Sequence, residues 1–171
     1  MSDPPSQLPP EFTLRKATPE DIWPIRRLVF GAKLDPTQIR WRQFWAIERQ
    51  GEVIACGQLR EFKNCRELGS LVVAASWRNR GLGTILTRHL IAESPEPLYL
   101  ECVGRGLMEY YRRLGFAAIA WKNLPRPLQV KFALSHLANR LLKLPIFIMK
   151  YDHLTTEAQR TRRGDLSEQN L

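Results

Sequence analysis

A chain of 171 residues suits one domain with one sizeable core. Its 44% apolar and 25% charged residues are ordinary for a globular protein, and no apolar run approaches the ~20 residues of a membrane helix. The net charge of +9 calls for an anionic partner, of which nucleic acid and the phosphates of a coenzyme are two.

The opening, MSDPPSQLPP, has neither the basic nor the apolar region of a signal peptide, so residues 1–11 read as a disordered lead-in and the protein as cytoplasmic. This lead-in nets −2 and the segment 155–171 nets zero, so +11 lies in 12–154. Phe12 to Ala17 alternates as a strand should. Thr18-Pro19-Glu20-Asp21 signals a helix start, and Pro24 puts that start near Asp21, because proline is tolerated only in a first turn. After Asp35-Pro36, Thr37 to Arg40 is expected as a short helix. Gln43 to Glu48 and Val53 to Glu61 read as strands joined by a Gln50-Gly51 turn, with a third strand from Glu67 to Ala74. Gly81 to Ala92 has helical spacing at Leu82, Ile85, Leu86 and Leu90, and is stopped by Pro95 and Pro97. A strand over Leu98 to Val103, a helix over Leu107 to Leu114 ended by Gly115, and a strand over Phe116 to Trp121 follow. Beyond Pro125-Arg126-Pro127, a basic amphipathic helix is expected over Leu128 to Leu142 and a last strand over Ile146 to Tyr151. The tail 155–171 is polar and expected to be disordered. The order predicts an α+β domain, with a mixed, mostly antiparallel sheet and helices on both faces.

Cys56, Cys65 and Cys102 are odd in number and widely spaced, which fits buried thiols better than disulfides or a metal site. His89, His136 and His153 form no ligand pattern either, so no metal is expected. The informative segment is Leu71 to Gly83, where a strand passes through Arg78-Asn79-Arg80-Gly81-Leu82-Gly83 into a helix. Unpaired N–H groups at a helix start face outward and attract anions. Glycine lets a phosphate approach them, and Arg78 and Arg80 add charge. The spacing matches neither GxxxxGK[ST] nor a full GxGxxG, and a tight turn alone would explain two glycines.

Arg78, Gly81 and Gly83 resemble motif A of the GNAT superfamily of N-acyltransferases. Tyr111, Gly115 and Phe116 are similar to its motif B, in the expected order and with one strand between. The resemblance spans about Phe12 to Tyr151 and implies a single GNAT-like acetyltransferase domain over 12–154. It implies that Val72, Val73 and Ala74 offer backbone groups to the pantetheine arm of acetyl-CoA, and that Arg78, Asn79, Arg80, Gly81, Leu82, Gly83 and Thr84 hold the pyrophosphate. One departure is Gly104, which stands where the family often has Asn.

Acetyl transfer to an alkyl amine requires loss of a proton from an ammonium of pKa ~10, and the departing thiolate needs a donor. Motif position makes Tyr111 the candidate acid, with core packing as its other reading. Glu67 and Glu101 both resemble catalytic glutamates of family members. Their other readings are a solvated strand end and a salt bridge. The apolar neighbours of Glu101 predict the drier site, and the polar neighbours of Glu67 the wetter one. A strand N–H near Val73 is the candidate oxyanion donor. Trp41, Trp45 and Trp121 read as core residues or as an acceptor pocket, and Lys131, His136, Arg140 and Lys143 as a solvated helix face or a flank of that pocket. The expected activity is direct transfer of acetyl from acetyl-CoA to a primary amine of a small molecule or protein. The alternatives are an inactive CoA-binding domain and a basic nucleic-acid-binding module. No nucleic-acid signature is present, no membrane partner is expected, and a monomer or homodimer is.

Overall fold

The structure is a computed structural model and describes residues 8–34, 38–143 and 145–151. Residues 1–7 of the expected lead-in over 1–11, and the expected tail over 155–171, lie outside the described residues; within 8–11, Pro9 O accepts from Phe12 N at 3.0 Å. The described chain forms seven strands and four α-helices, with the strands paired mostly antiparallel, so the α+β class stands. Two compact units divide it, one of Met1–Phe62 with Arg66–Pro95 and the other of Lys63–Cys65 with Glu96–Leu171.

In the first unit the strand order is β1 (Thr13–Lys16), β2 (Phe44–Arg49), β3 (Glu52–Phe62) and β4 (Cys65–Val73). Gln50 and Gly51 form the two-residue hairpin link between β2 and β3, both in the left-handed region at φ 51° and 81°. Such a turn carries the twist of the flanking strands. Neighbouring residues of β3 point to opposite faces, and helices cover both. Cys56 packs in a cluster with Ile25 and Val29 of α1 (Ile22–Gly31). At Gly57 a Cβ would lie 2.7 Å from Leu90 and 3.5 Å from Leu86 of α2 (Leu82–Ala92). The missing side chain is what admits α2 so close, and Trp45, paired with Gly57, closes the gap against His89 with ring centroids 4.1 Å apart. Pro24 does sit in the first turn of α1.

The second unit orders its strands β5 (Leu98–Val103), β7 (Ile146–Tyr151) and β6 (Phe116–Ala118), all antiparallel. Leu98, Leu100, Met149, Phe116 and Leu128 are fully buried there. The helix α3 (Arg105–Arg113) precedes β6, and α4 (Arg126–Leu142) lies between β6 and β7 in the chain. The helix α4 buries Leu128 and Phe132 and leaves Val130 and Leu134 exposed.

Several boundaries differ from expectation for local reasons. Gln38 to Arg40 is not helical; the helical turn is a 3-10 turn at Trp41–Gln43. The strand expected to reach Trp121 stops at Ala118, because Trp121–Asn123 forms another such turn. The last helix starts earlier than Leu128, because Pro127 is accommodated in its first turn, where no N–H is needed.

Candidate functional site

The strand-to-helix turn belongs to the first unit. Beyond β4, Ala74 donates its N–H to Ile54 O at 2.8 Å and its carbonyl accepts from Trp77 N at 2.8 Å. The N–H of Ala74 is therefore committed to the protein, and of the three residues expected to meet a pantetheine arm it has only a carbonyl lone pair left to offer. Val72 turns its side chain into the core with Cys56 and Phe44. A single 3-10 turn, Ala75–Trp77, redirects the chain. Trp77 anchors it: its ring meets Phe12 edge-on at 5.5 Å, with the guanidinium groups of Arg80 at 4.7 Å and Arg49 at 5.0 Å.

Asn79 and Gly81 both take left-handed conformations, at φ 61° and 79°. Gly81 is the residue before α2, and no side chain caps that helix. The first intrahelical bond shown is Ile85 N to Gly81 O at 3.0 Å, so the N–H groups of Leu82, Gly83 and Thr84 precede the ladder. Leu82 points into the core at 1% exposure and fixes the start of the helix. Thr87 Oγ1 donates to Gly83 O at 2.7 Å, which steadies the first turn. Arg78, Asn79 and Arg80 are exposed around this end. Arg78 Nε donates to Val73 O at 3.1 Å, which ties the arginine back to β4. Sequence patterning showed the glycines but not this tether, nor the role of Trp77.

Glu67 belongs to the same unit and corrects the expectation about water. It is 4% exposed, and its Oε1 accepts from Arg60 Nη1 at 2.9 Å in a pair whose arginine is 5% exposed. Arg60 Nη2 also donates to Ser70 Oγ at 2.9 Å. Ser70 has φ 48° inside β4, and a Cβ on Gly69 would clash with the Arg60 guanidinium at 2.0 Å. The sequence signal was Gly69-Ser70 within a strand, which marks irregular backbone or a close approach. The neighbours of Glu67 along the chain are polar, but burial is set by Arg60 on the adjacent strand.

In the second unit, Tyr111 is buried at 7% exposure on α3. Its ring meets Phe116 at 5.6 Å and Tyr110 at 5.0 Å, and Phe116 in turn meets Tyr151 at 5.4 Å. Burial, and then the nearby Tyr110 and Cys102, push the phenol well above its ordinary range, so it keeps its proton. Glu101 is half-buried on β5 opposite Ile148, and Ser135 of α4 donates to its Oε2 at 2.6 Å. Glu101 is thus the wetter of the two glutamates, the reverse of the expectation. Ser135 had no signal in the sequence beyond its place on the helix. Gly104 stands before α3 at φ 93°, ψ 145°, a region that glycine enters and asparagine seldom does.

Trp41 and Trp45 line one cleft of the first unit, with a volume of about 670 Å3. Trp121 is in the second unit and stacks on His136, centroids 3.9 Å apart and 15° between planes. The side chain of Arg140 lies outside the description. All three cysteines are free and buried, and burial raises Cys56 to about 12 and Cys102 to about 11, against any nucleophilic role. Among the described residues no cluster of His, Cys, Asp or Glu is placed to hold a metal ion, and no helix is long and apolar enough to cross a membrane.

The family model described as Acetyltransferase (GNAT) family matches residues 15–116, more than half of the chain and all of the turn. The chain belongs to the GNAT acetyltransferase family. Its fold recurs among solved GNAT structures. N-acetylglutamate synthase from Neisseria gonorrhoeae, solved with coenzyme A and N-acetyl-glutamate, aligns at TM-score 0.68 and 19% identity over 83% of this chain. The chain spans only 35% of that enzyme. A Mycobacterium tuberculosis protein solved with CoA aligns at TM-score 0.64 and 18% identity, over 81% of this chain and 98% of its own. An N-acetyltransferase from Staphylococcus aureus Mu50 aligns at 0.60 and 14% identity, over 81% and 99%. At these identities the likeness concerns the fold. No curated protein matches the sequence.

Proposed function

We propose that this GNAT protein transfers an acetyl group from acetyl-CoA to a primary amine. The observation that carries the reading is the uncapped start of α2, with Gly81 at φ 79° and Arg78 and Arg80 exposed beside it. Such an end suits a diphosphate: it presents unpaired N–H groups, Gly81 and Gly83 carry no side chains of their own, and two guanidinium groups add charge. The CoA bound to the gonococcal and mycobacterial neighbours supports the same cofactor here.

In this reading the amine attacks the thioester carbonyl, the carbonyl oxygen gathers charge, and collapse expels the CoA thiolate as the amide forms. Tyr111 serves as the acid by its motif position: burial keeps the phenol protonated as a hydrogen-bond donor to the thiolate, while making it a weaker acid. A β4 N–H near Val73 is the oxyanion donor. Glu101 and Glu67 compete for the role of base. Three free buried thiols favour a reducing compartment, in keeping with a cytoplasmic enzyme.

The test is an acceptor screen with acetyl-CoA, reading free thiol and product mass over amino acids, polyamines, lysine peptides and protein N-termini. One amine acetylated at a saturable rate is the expected result. Acetyl-CoA binding without thiol release across the whole panel would reduce the protein to a CoA-binding domain.

A further inference from the structure

The 670 Å3 cleft of the first unit is distinct from the turn just described. It reaches the opposite end of α2: Glu93, which lines it, follows the helix, whereas Gly81 precedes it. Eleven residues of helix at ~1.5 Å each separate the two ends by roughly 16 Å. An anion in the cleft is therefore not the diphosphate at the turn.

Four cations line the cleft: Lys16 from the end of β1, Arg26 from α1, and Arg40 and Arg42 ahead of β2. A fifth, Arg66, lies 3.5 Å from the Glu61 carboxylate and donates to the backbone carbonyl of Glu93 at 2.9 Å, so it is tied to the two acidic residues of the lining. Among the described residues the other four make no ion pair with a carboxylate. Lys16 and Arg42 lie instead over indole rings, 5.4 Å from Trp45 and 4.7 Å from Trp41. Gathering like charges around one cavity works against folding, and an anion relieves it. Five cations against two carboxylates leave the lining at +3, which one carboxylate would match poorly and two acidic groups much better. The half-buried indoles of Trp41 and Trp45 and the buried Leu59 give the cleft an apolar floor. Its volume falls in the range of small-ligand sites, ~300–1,000 Å3.

We propose that this cleft is a binding site for a small organic dianion, with an apolar skeleton over the two indoles and acidic groups held by Arg40, Arg42, Arg26 and Lys16. The claim is independent of acyl transfer. Carboxylate and phosphoryl groups share the chemistry that guanidinium groups recognise, so both are offered as probes.

The experiment is calorimetry on the full chain with isophthalate, phenyl phosphate, inorganic phosphate and the neutral isophthalamide. Isophthalate or phenyl phosphate should bind, whichever is tighter naming the acidic group, and isophthalamide should not. Arg40→Gln with Arg42→Gln, both exposed, should weaken that binding about 10- to 100-fold while leaving the acetyl-CoA melting shift unchanged. Gly81→Asp should do the opposite, which separates failure of this site from failure of the cofactor reading. Equal binding of inorganic phosphate would overturn the proposal by showing that charge alone is read. Equal binding of isophthalamide, or undiminished binding by the double variant, would overturn it as well. The wild-type selectivity pattern decides the matter even if the variant fails to fold.

Discussion

A phenol packed among aromatic rings is pushed above its ordinary range and stays neutral near pH 7, and Tyr111 is such a group. Tyr111→Phe preserves the ring contacts with Tyr110 and Phe116. If the hydroxyl delivers a proton to the thiolate, turnover falls about 10- to 100-fold with the acetyl-CoA affinity unchanged. Steady-state rates under conditions where chemistry limits, set beside calorimetry for the cofactor, check this; full activity in the variant would leave Tyr111 as a packing residue. The two glutamates differ in what replacement by Gln removes. Glu101→Gln keeps the hydrogen bond from Ser135, so stability should change little, and if Glu101 is the base the acidic limb of the pH–rate profile flattens. Glu67→Gln leaves an amide oxygen to accept from Arg60 but removes the countercharge of that buried guanidinium, and should destabilise by about 3–5 kcal/mol, read as a lowered denaturation midpoint. Its rate must then be taken per folded molecule; if both limbs stay at wild type, neither glutamate is the base. The motif positions of these residues were legible in the sequence. Their surroundings were not: Arg60 lies on the neighbouring strand and Ser135 on a distant helix, and neighbours along the chain are poor guides to neighbours across a sheet.

At the scale of the element, the start of α1 is fixed by charge. Asp21 is 6% exposed and accepts from Arg15 at 2.6 and 3.0 Å and from Thr18 N at 2.7 Å, while Arg15 also reaches Glu48 at 2.6 Å. The Arg15 hydrogen bonds hold the Asp21 carboxyl below its ordinary range. A depressed carboxylate stabilises the fold above its unfolded pKa, and that contribution is lost as pH falls through the lower folded value. Asp21→Asn should therefore lower the melting temperature by a constant amount above about pH 5, and the gap to wild type should narrow below about pH 4. A gap that widens in acid would rule out this network. The turn before α2 makes a second prediction. Gly81 sits at φ 79°, and Gly81→Asp sets both a strained side chain and a negative charge against the helix start. The acetyl-CoA melting shift should vanish while the circular dichroism spectrum is retained. Thr18 to Asp21, the hairpin at Gln50-Gly51 and this glycine turn were all readable, because each is written in consecutive residues. The short turns at Trp41–Gln43 and Trp121–Asn123 were not, since nothing in their composition opposes an extended chain.

For the whole molecule the charge of +9 is the property that the cofactor reading must explain. A field of that sign draws any polyanion, so a nucleic acid and acetyl-CoA both gain from it at low salt. They differ in how binding responds to salt and to the turn. Non-specific nucleic-acid binding spreads over many phosphates and falls steeply with salt, whereas one diphosphate seated on helix N–H groups and two arginines falls less. Acetyl-CoA at 100 times its Kd should stabilise the chain by about 2.7 kcal/mol. At about 2–4 °C per kcal/mol for a chain of this size, the melting temperature should rise by roughly 5–10 °C. Raising salt from about 50 to 200 mM should remove most duplex DNA retention, by ~10³-fold or more if six phosphates are engaged, and leave most of the acetyl-CoA shift in place. Excess DNA should not abolish that shift, and Gly81→Asp, which removes it, should leave DNA retention intact. The opposite pattern, with DNA displacing acetyl-CoA and the glycine variant losing both, would make the turn one more part of a general basic surface, and the case for a cofactor site built on α2 would fall with it.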